Sequence, residues 1–381
     1  MSTSGVGVCK IRHMRLGVVD LFCGIGGLSY GFKKEGFDVL AGIDSDASCK
    51  YAYETNVKAE FIAGDVGQLS GRRVADLFDQ RKNSYRVLIG CAPCTPFSSY
   101  TDRYRKLRRR DRRWQLLEEF DRLIRATKPH VVSMENVPRL TRHPVFHRFV
   151  RGLKDTGYAV TYRKVRADHY GVPQRRARLV LIASLYGEVH LPRETHRDNP
   201  VTVKDAIGNL PSIQAGERSS RDRLHTSRGL SDRNLKRLKS TTEGGSWKDW
   251  DKNLQLACHR KRRGKSFRSV YGRMRWDAPA PVITTQCLGI GNGRFGHPKQ
   301  DRAISIREAA LLQSFPKKFR FVPPREPVYG APLARHIGNA VPVRLSRIIA
   351  RTIKRHLAAV SETSADAREL VARRRRPRSD S

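Results

Sequence analysis

Residues 17–27, GVVDLFCGIGG, decide the fold of this chain. An apolar run over 17–22 ends in a cluster of glycines, and the next segment, 28–34, can form a helix. Glycine permits a tight strand-to-helix turn and lets a ligand approach the backbone closely. Ser29 stands where the dinucleotide fingerprint G-x-G-x-x-G has its third glycine. The string therefore indicates either a ligand loop or a plain tight turn.

Four further apolar runs follow the first one along the chain. Apolar residues recur at helical spacing over 114–127, between the third and the fourth of the five runs. Alternating strands and helices predict an α/β fold with a doubly wound, mostly parallel sheet. The four additional predicted strands cover residues 37–43, 86–89, 130–134 and 179–183.

The composition of the chain changes after about residue 188. From there to about 281 the sequence is polar and rich in arginine, which predicts a smaller and less regular domain. Apolar helical patterns return at 306–315 and 343–353. The tail from about 359 ends in the basic run 373–378, and we interpret it as disordered.

Charge and composition indicate what kind of partner and which cellular compartment to expect. The chain has 75 Lys and Arg against 36 Asp and Glu, a net charge of +39. This charge favours a polyanionic partner such as nucleic acid, although a genome that favours arginine codons would also raise the charge. No apolar stretch approaches the ~20 residues of a membrane-spanning helix. Residues 1–10 lack the apolar core of a secretory signal. Seven cysteines, an odd number, do not indicate a disulfide framework, so we expect a cytoplasmic protein with reduced thiols.

Acidic residues follow the second predicted strand. Asp44 and Asp46 stand where a carboxylate would accept hydrogen bonds from a ribose diol, and Asp65 is suited to an exocyclic amine. Together with the glycine loop they predict an adenosine-containing cofactor, and a nucleoside methyl donor fits at least as well as a dinucleotide. Each acid taken alone is more often a solvated loop residue.

Cys94 lies between two prolines after the third predicted strand, and Cys91 makes a C-x-x-C with it. Zinc would need two more ligands at short spacing, whereas Cys258-His259 is a single adjacent pair. We therefore predict no metal and no thioredoxin-like redox site.

Three charged residues accompany the fourth and fifth predicted strands. Glu135 follows the fourth, and a carboxyl at that depth is expected to hold a proton. Arg176 and Arg178 alternate onto one face of the segment that enters the fifth. Solvated surface positions are the alternative for this arginine pair.

The motifs follow one another along the chain as DLFCGIGG (20–27), Asp44, GDV (64–66), PCTPFS (93–98), ENV (135–137), QRRAR (174–178), REAALLQSFP (307–316) and GNAVP (338–342). Their order resembles that of the DNA cytosine-5 methyltransferases of bacterial type. The resemblance covers about 16–205 and 281–353, and it implies a class I methyltransferase fold with S-adenosylmethionine as cofactor. This chain departs from the family at Thr95, because the family usually has glutamine after the nucleophilic cysteine, and the difference affects a polar contact near the flipped base.

The resemblance also assigns roles to individual residues. Cys94 is the nucleophile that adds to cytosine C6, which agrees with the chemistry of a thiolate. Glu135 would hydrogen-bond N3, Arg178 would hold O2, and Arg176 would hold nearby groups. The residues implied to contact the cofactor are Phe22, Gly24, Gly26, Gly27, Asp44, Asp65 and Asn339.

The implied partner is double-stranded DNA, from which the target base must flip out. The basic stretch 103–113 matches a mobile loop that closes over DNA in the family. Residues 188–321 match the place of the family's target-recognition domain, and 284–285 and 289–296 are candidate loops for DNA contacts. The first catalytic part would then be 1–187, completed by 322–358 and followed by the tail 359–381.

We expect a site-specific enzyme that acts as a monomer on DNA. Whether a restriction endonuclease acts on the same site does not follow from the sequence. A tRNA cytosine-5 methyltransferase with the same core is the alternative, ahead of a non-catalytic nucleic-acid-binding protein or a dehydrogenase. The recognition sequence and the base that removes the C5 proton do not follow from the sequence.

Overall fold

The computed structural model describes residues 14–81, 83–93, 115–262 and 264–374. A seven-stranded sheet in the order β3-β2-β1-β4-β5-β7-β6 forms its centre. The strands are β1 Leu16–Leu21, β2 Asp38–Asp44, β3 Glu60–Ala63, β4 Tyr85–Gly90, β5 Val131–Asn136, β6 Ala159–Arg166 and β7 Ala177–Ser184.

The strand order shows at which edge of the sheet a ligand is expected to bind. β1 lies between β2 and β4, and it pairs with both of them in parallel. The chain therefore leaves β1 and β4 at the same edge, at the point where the strand order reverses. In open α/β sheets, ligands bind in the crevice at this switch point. The glycine turn after β1 and residues 91–93 after β4 flank that crevice.

Helices cover both faces of the sheet, as the doubly wound prediction requires. Successive strand residues point to opposite faces. Val87 and Ile89 of β4 accordingly join one core cluster, whereas Leu88 joins the other. The α-helices are α1 Gly27–Lys34, α2 Lys50–Val57, α3 Gly71–Asp79, α4 Leu116–Thr127, α5 Pro144–Asp155, α6 Val203–Ile207, α7 Asp232–Lys239, α8 Ala257–Arg260, α9 Ile306–Leu312, α10 Gly330–Asn339 and α11 Val343–Arg374.

All five predicted strands exist, but the sheet contains two that the apolar runs did not indicate. β3 is only four residues long, and its sequence EFIA is too short to show a period. β6 reads AVTYRKVR and has an exposed, charged face, as an edge strand permits. The strand predicted fifth is therefore β7, and it runs antiparallel to both β5 and β6.

The segment between β7 and α9 contains short helices and isolated bridges. Its apolar residues Val203, Ile283 and Ile304 belong to the same core cluster as Val18 of β1. Arg302 and Glu308, both 0% exposed, form a two-pronged ion pair with N–O distances of 2.8 and 2.7 Å. Glu308 also caps α9, because its Oε2 accepts the Ser305 backbone N–H at 2.6 Å.

The tail prediction is wrong up to Arg374, because α11 continues from Val343 to that residue. No glycine or proline interrupts residues 343–374, which are rich in Arg and Ala, and both residue types favour helix. Leu345, Ile349 and Ile353 anchor the first turns in the core. Within the described ranges, no helix has the length and apolar character needed to cross a bilayer.

Candidate active site

Cys94, Thr95 and the basic stretch 103–113 lie outside the described residues. The structure shows the chain that leads to Cys94. The Cys91 backbone N–H donates to the Leu21 carbonyl at 3.3 Å, which extends the β1–β4 pairing beyond β4. Asn136 Nδ2 donates to the Ala92 carbonyl at 3.0 Å. These bonds fix residues 91–92 against the ends of β1 and β5.

Glu135 and Arg178 meet at the end of β5. Glu135 belongs to β5 itself, rather than following the strand as predicted. The Arg178 Nε atom lies 2.8 Å from Glu135 Oε1, and the two residues are only 9% and 3% exposed. Glu135 pairs with Val180 across the antiparallel ladder, so Arg178, two residues from Val180, shares its face of the sheet. Burial rules out the surface alternative for Arg178.

Cys91 is a contact of Glu135 that the sequence analysis did not assign. Its Sγ donates to Glu135 Oε2 at 3.1 Å, so the carboxylate has a thiol donor at one oxygen and an ionic contact with Arg178 at the other. The C-x-x-C spacing drew attention to Cys91 only as a metal or redox candidate. Its place directly after β4, beside the strand that carries Glu135, is the signal that predicts the contact.

Arg176 is also buried, at 3% exposure, so the surface alternative is wrong for it as well. Its guanidinium donates to the Ile283 carbonyl at 3.1 Å and to the Gly338 carbonyl at 3.0 Å. Gln174 and Gln313, both fully buried, join this network through a 2.9 Å side-chain hydrogen bond. Arg176 thus ties the segment before β7 to residue 283 and to the end of α10.

The glycine turn has the backbone conformation that its residues predict. Gly24 and Gly26 have φ values of 50° and 86°, where a side chain is strained. A Cβ on Gly27 would come within 2.5 Å of the Val341 carbonyl oxygen. Phe22 has a φ of 62°, an uncommon value for a non-glycine residue that often marks a functional turn.

Three predicted cofactor residues surround this turn. Asp44 Oδ2 accepts the Gly24 N–H at 2.8 Å, which links β2 to the glycine turn, and burial raises the pKa of Asp44. Asp65 is exposed, and its Oδ1 accepts the Gly67 N–H at 2.9 Å. Asn339 is exposed at the last position of α10, next to Ala340, which packs against Gly27.

Asp46 was a second candidate for the ribose, but the structure gives it another set of partners. Arg335 NH2 lies 2.9 Å and His336 Nε2 3.1 Å from its Oδ2. Burial raises the pKa of Asp46, but hydrogen bonds from Ser48 and His336 outweigh it and hold the pKa below its usual range. Asp46 therefore fastens α10 to the end of β2.

Asp20 is a buried acid that the sequence analysis left without a role. It is 0% exposed, and Ser29 Oγ donates to its Oδ2 at 2.5 Å. Burial raises the pKa of Asp20 to about 8. Within the described residues its Oδ1 has no hydrogen-bond partner.

These observations fit an adenosine-containing methyl donor at the glycine turn. Cβ atoms built on Gly24 and Gly64 would meet nothing within 4 Å, so space is open in front of both loops. The exposed carboxylate of Asp65 follows Gly64 directly, and the half-buried carboxylate of Asp44 contacts the Gly24 N–H, so both lie beside that space. Each oxygen of a carboxylate has a second lone pair, so Asp44 can accept ribose hydroxyls in addition to its backbone donors.

Solved structures share this fold. One is a prophage-encoded protein from Escherichia coli described as a DNA modification methyltransferase, with a TM-score of 0.69 and 24% identity over 90% of this chain and 99% of that one. Another is the Entamoeba histolytica methyltransferase EhMeth, with a TM-score of 0.64 and 16% identity over 91% and 99%. At these identities the likeness establishes the fold.

Sequence comparisons establish the family. The Type II methylase M.HgiDII of Herpetosiphon aurantiacus is 48% identical over 91% of this chain and 97% of its own length. The Type II methyltransferase M1.HphI of Haemophilus parahaemolyticus is 31% identical over 90% and 88%. Residues 16–355 match the family model described as C-5 cytosine-specific DNA methylase. The chain therefore belongs to the C-5 cytosine-specific DNA methylases, enzymes that methylate cytosine C5 in DNA with S-adenosylmethionine as the methyl donor.

Proposed function

We propose that this chain is the modification enzyme of a Type II restriction–modification system and methylates one cytosine within a short duplex sequence. Its similarity to the Type II methylase M.HgiDII, 48% identical over most of both chains, supports the system. The buried Glu135–Arg178 pair beside the chain that leads to Cys94 supports the chemistry and is the single observation that carries it. The enzyme acts in the cytoplasm as a monomer on DNA.

The first chemical step belongs to Cys94. Cytosine C5 is too weak a nucleophile to accept a methyl group directly. Addition of the Cys94 thiolate to C6 turns the ring into an enamine-like nucleophile at C5. Once C5 has accepted the methyl group, loss of the C5 proton to a base and release of the Cys94 thiolate from C6 restore the aromatic base.

Glu135 and Arg178 stabilise the charge that this addition creates. Negative charge develops toward N3 as the thiolate adds, and a proton shared by Glu135 and N3 disperses it. The 2.8 Å contact from Arg178 orients the carboxylate. We also assign to the Arg178 guanidinium the contact with the base O2. Arg176 supports this site through its hydrogen bonds to the Ile283 and Gly338 carbonyls.

The residues around the glycine turn hold the methyl donor. Bound S-adenosylmethionine supplies an electrophilic methyl group on a sulfonium. Phe22 would pack on the adenine, Asp65 would accept from its amine and Asp44 would accept from the ribose. Gly24, Gly26 and Gly27 would allow close backbone approach, and Asn339 would lie near the methionine end.

Recognition of DNA falls to the segment between the two catalytic parts. We assign 1–187 and 322–358 to the catalytic domain and 188–321 to target recognition. The net charge of +39 suits a phosphate backbone, and base flipping costs a few kcal/mol that protein contacts must supply.

A genome-wide map of modified cytosines tests this proposal. The chain is expressed in a host that lacks DNA methylation, with Cys94→Ser as the matched control. We expect complete 5-methylcytosine at one short sequence with the wild-type chain and none with the variant. Modification of tRNA with unmodified DNA would instead support the tRNA alternative. Protection of that DNA from an endonuclease encoded beside the gene tests the restriction partner.

A further inference from the structure

A basic groove on the outside of the fold shares no residue with the site described above. Helices α1 and α11 and the residues around Tyr170, His196 and Lys318 enclose a cavity of about 790 Å³. Among the residues that the structure describes, no predicted catalytic or cofactor residue lines it. Its cationic lining consists of Lys34, Lys318, Arg344, Arg347, Arg351 and Arg355, called the α11 groove below.

The cations of α11 lie on one face of the helix. Arg344, Arg347, Arg351 and Arg355 follow one another at intervals of three and four residues, the spacing of one helix face, and all are exposed. The opposite face is buried in the core through residues such as Ile349 and Ile353, so this face points outward. Like charges at this spacing repel, so an anion bound across them would relieve the repulsion.

Few acids offset this charge. In the part of the chain that the structure describes, no acid lines the groove. Glu35, beside the groove, forms ion pairs with Arg347 and Arg351. The Arg344 NH2 group is 3.2 Å from His196 Nε2, and partial burial together with Arg344 lowers the pKa of His196, which makes it neutral at pH 7. Lys34 lies over the Tyr30 ring at 5.2 Å. The positive potential of the groove is thus largely uncompensated.

The length of the row favours a polymer over a single anion. A helix rises 1.5 Å per residue, so Arg344 to Arg355 extends over about 16 Å. One DNA strand advances about 3.4 Å of axis per phosphate, so this row matches about five phosphates, whereas a lone phosphate reaches two or three of the cations. We propose that the α11 groove binds the phosphate backbone of a second duplex segment, away from the segment whose cytosine is methylated.

The proposal rests on the assigned DNA methyltransferase function, but binding and catalysis can be measured separately. The test variant Lys34→Gln/Lys318→Gln/Arg355→Gln removes three groove cations and leaves the Glu35 ion pairs in place. The control Arg73→Gln/Arg151→Gln/Lys154→Gln makes the same charge change at exposed positions of α3 and α5. Thermal unfolding of both full chains verifies that they fold.

The first measurement is binding of a labelled 40-base-pair random duplex as a function of salt. We expect the groove variant to bind at least about 10-fold more weakly at 0.1 M salt, with a log–log salt slope smaller by about 2 to 3. The control should retain the wild-type slope. The second measurement is kcat and KM on a short duplex that contains the mapped target, which the groove variant should leave unchanged.

Three results would overturn the proposal. Equal binding and slopes for the groove and control variants would show that the groove does not bind DNA. A matching rise of KM on the short duplex would make the groove part of the catalytic contact. Displacement of the duplex by millimolar inorganic phosphate at constant ionic strength would make it a small-anion site. Failure of the assigned function would appear differently, as a wild-type chain that binds duplex but methylates none.

Discussion

Arg178 contacts Glu135 from an antiparallel strand, with Nε 2.8 Å from Oε1 and both residues almost fully buried. This pair exists because β7 reverses the direction of the otherwise parallel sheet beside β5. The Cys91 thiol donates to the other oxygen, Oε2, and the second lone pair of that oxygen stays available to a ligand. The pair therefore provides an oriented carboxyl at the carboxyl end of β5.

Glu135→Gln should slow methylation by at least about 100-fold, because an amide holds the same space but cannot share a proton with N3. Binding of the target duplex should change little. Single-turnover methylation and a gel-shift titration measure the two effects. Near-normal turnover would remove Glu135 from the chemistry.

Cys91→Ala should lower kcat by about 3- to 10-fold, the kinetic equivalent of one hydrogen bond worth about 1 kcal/mol. The reason is the 3.1 Å contact through which the Cys91 thiol orients Glu135 Oε2. Cys91→Ser keeps a donor and is expected to retain most of the activity. Equal loss in both variants would indicate packing rather than orientation.

Much of this site could be predicted from the sequence, for reasons that are local. The glycine turn after β1 follows from the conformations that Gly24 and Gly26 permit, and the depth of Glu135 follows from the apolar run before it. The Glu135–Arg178 contact did not follow, because it depends on the register of two strands distant in the chain. β6 was missed because an exposed edge strand tolerates Arg163 and Lys164 and so lacks the apolar pattern.

The prediction for the tail failed because it considered charge alone. Its charge predicted disorder, whereas helix propensity and the anchored turns of α11 favour continuation to Arg374. Arg176 and Arg178 had surface solvation as an alternative because the chain is so basic. Only the tertiary partners of Arg176, the Ile283 and Gly338 carbonyls, show why a buried position is favourable.

Glu308→Ala should cost about 3–5 kcal/mol of unfolding free energy, since it leaves the fully buried Arg302 guanidinium without its counter-charge. Urea unfolding followed by fluorescence measures the loss. Arg302→Met/Glu308→Leu, which removes both charges, should recover much of it. A loss below 1 kcal/mol for Glu308→Ala would contradict the importance of the pair.

The same cluster should make the fold sensitive to acid. Burial raises the pKa of Glu308, but Arg302 and His297 outweigh it and hold the pKa below its usual range, so the stabilisation is present above about pH 4.5 and lost below it. Burial lowers the pKa of His297 to about 4, so protonation of the unfolded chain removes further stability between about pH 6.5 and 4.

Asp20 should make the fold less stable as the pH rises, and Asp20→Asn should remove this dependence. Burial raises the pKa of Asp20 to about 8 from 3.8, so the folded chain holds this proton where the unfolded chain has lost it. The wild type should therefore lose up to about 1.4 kcal/mol per pH unit relative to the variant as pH rises from about 4 to 8. Denaturant titrations at pH 5, 6.5 and 8 compare the two chains, and a constant difference would refute the assigned burial effect.

The central claim is a transient bond between the Cys94 sulfur and C6 of the target cytosine. It is tested most directly by incubating the folded chain and S-adenosylmethionine with a duplex whose target base is 5-fluorocytosine, where fluorine blocks the release step. Peptide mass spectrometry should then find protein and DNA joined at residue 94, with no adduct in Cys94→Ser. An enzyme that methylates the ordinary duplex but forms no adduct at residue 94 with the fluorinated one would contradict the mechanism.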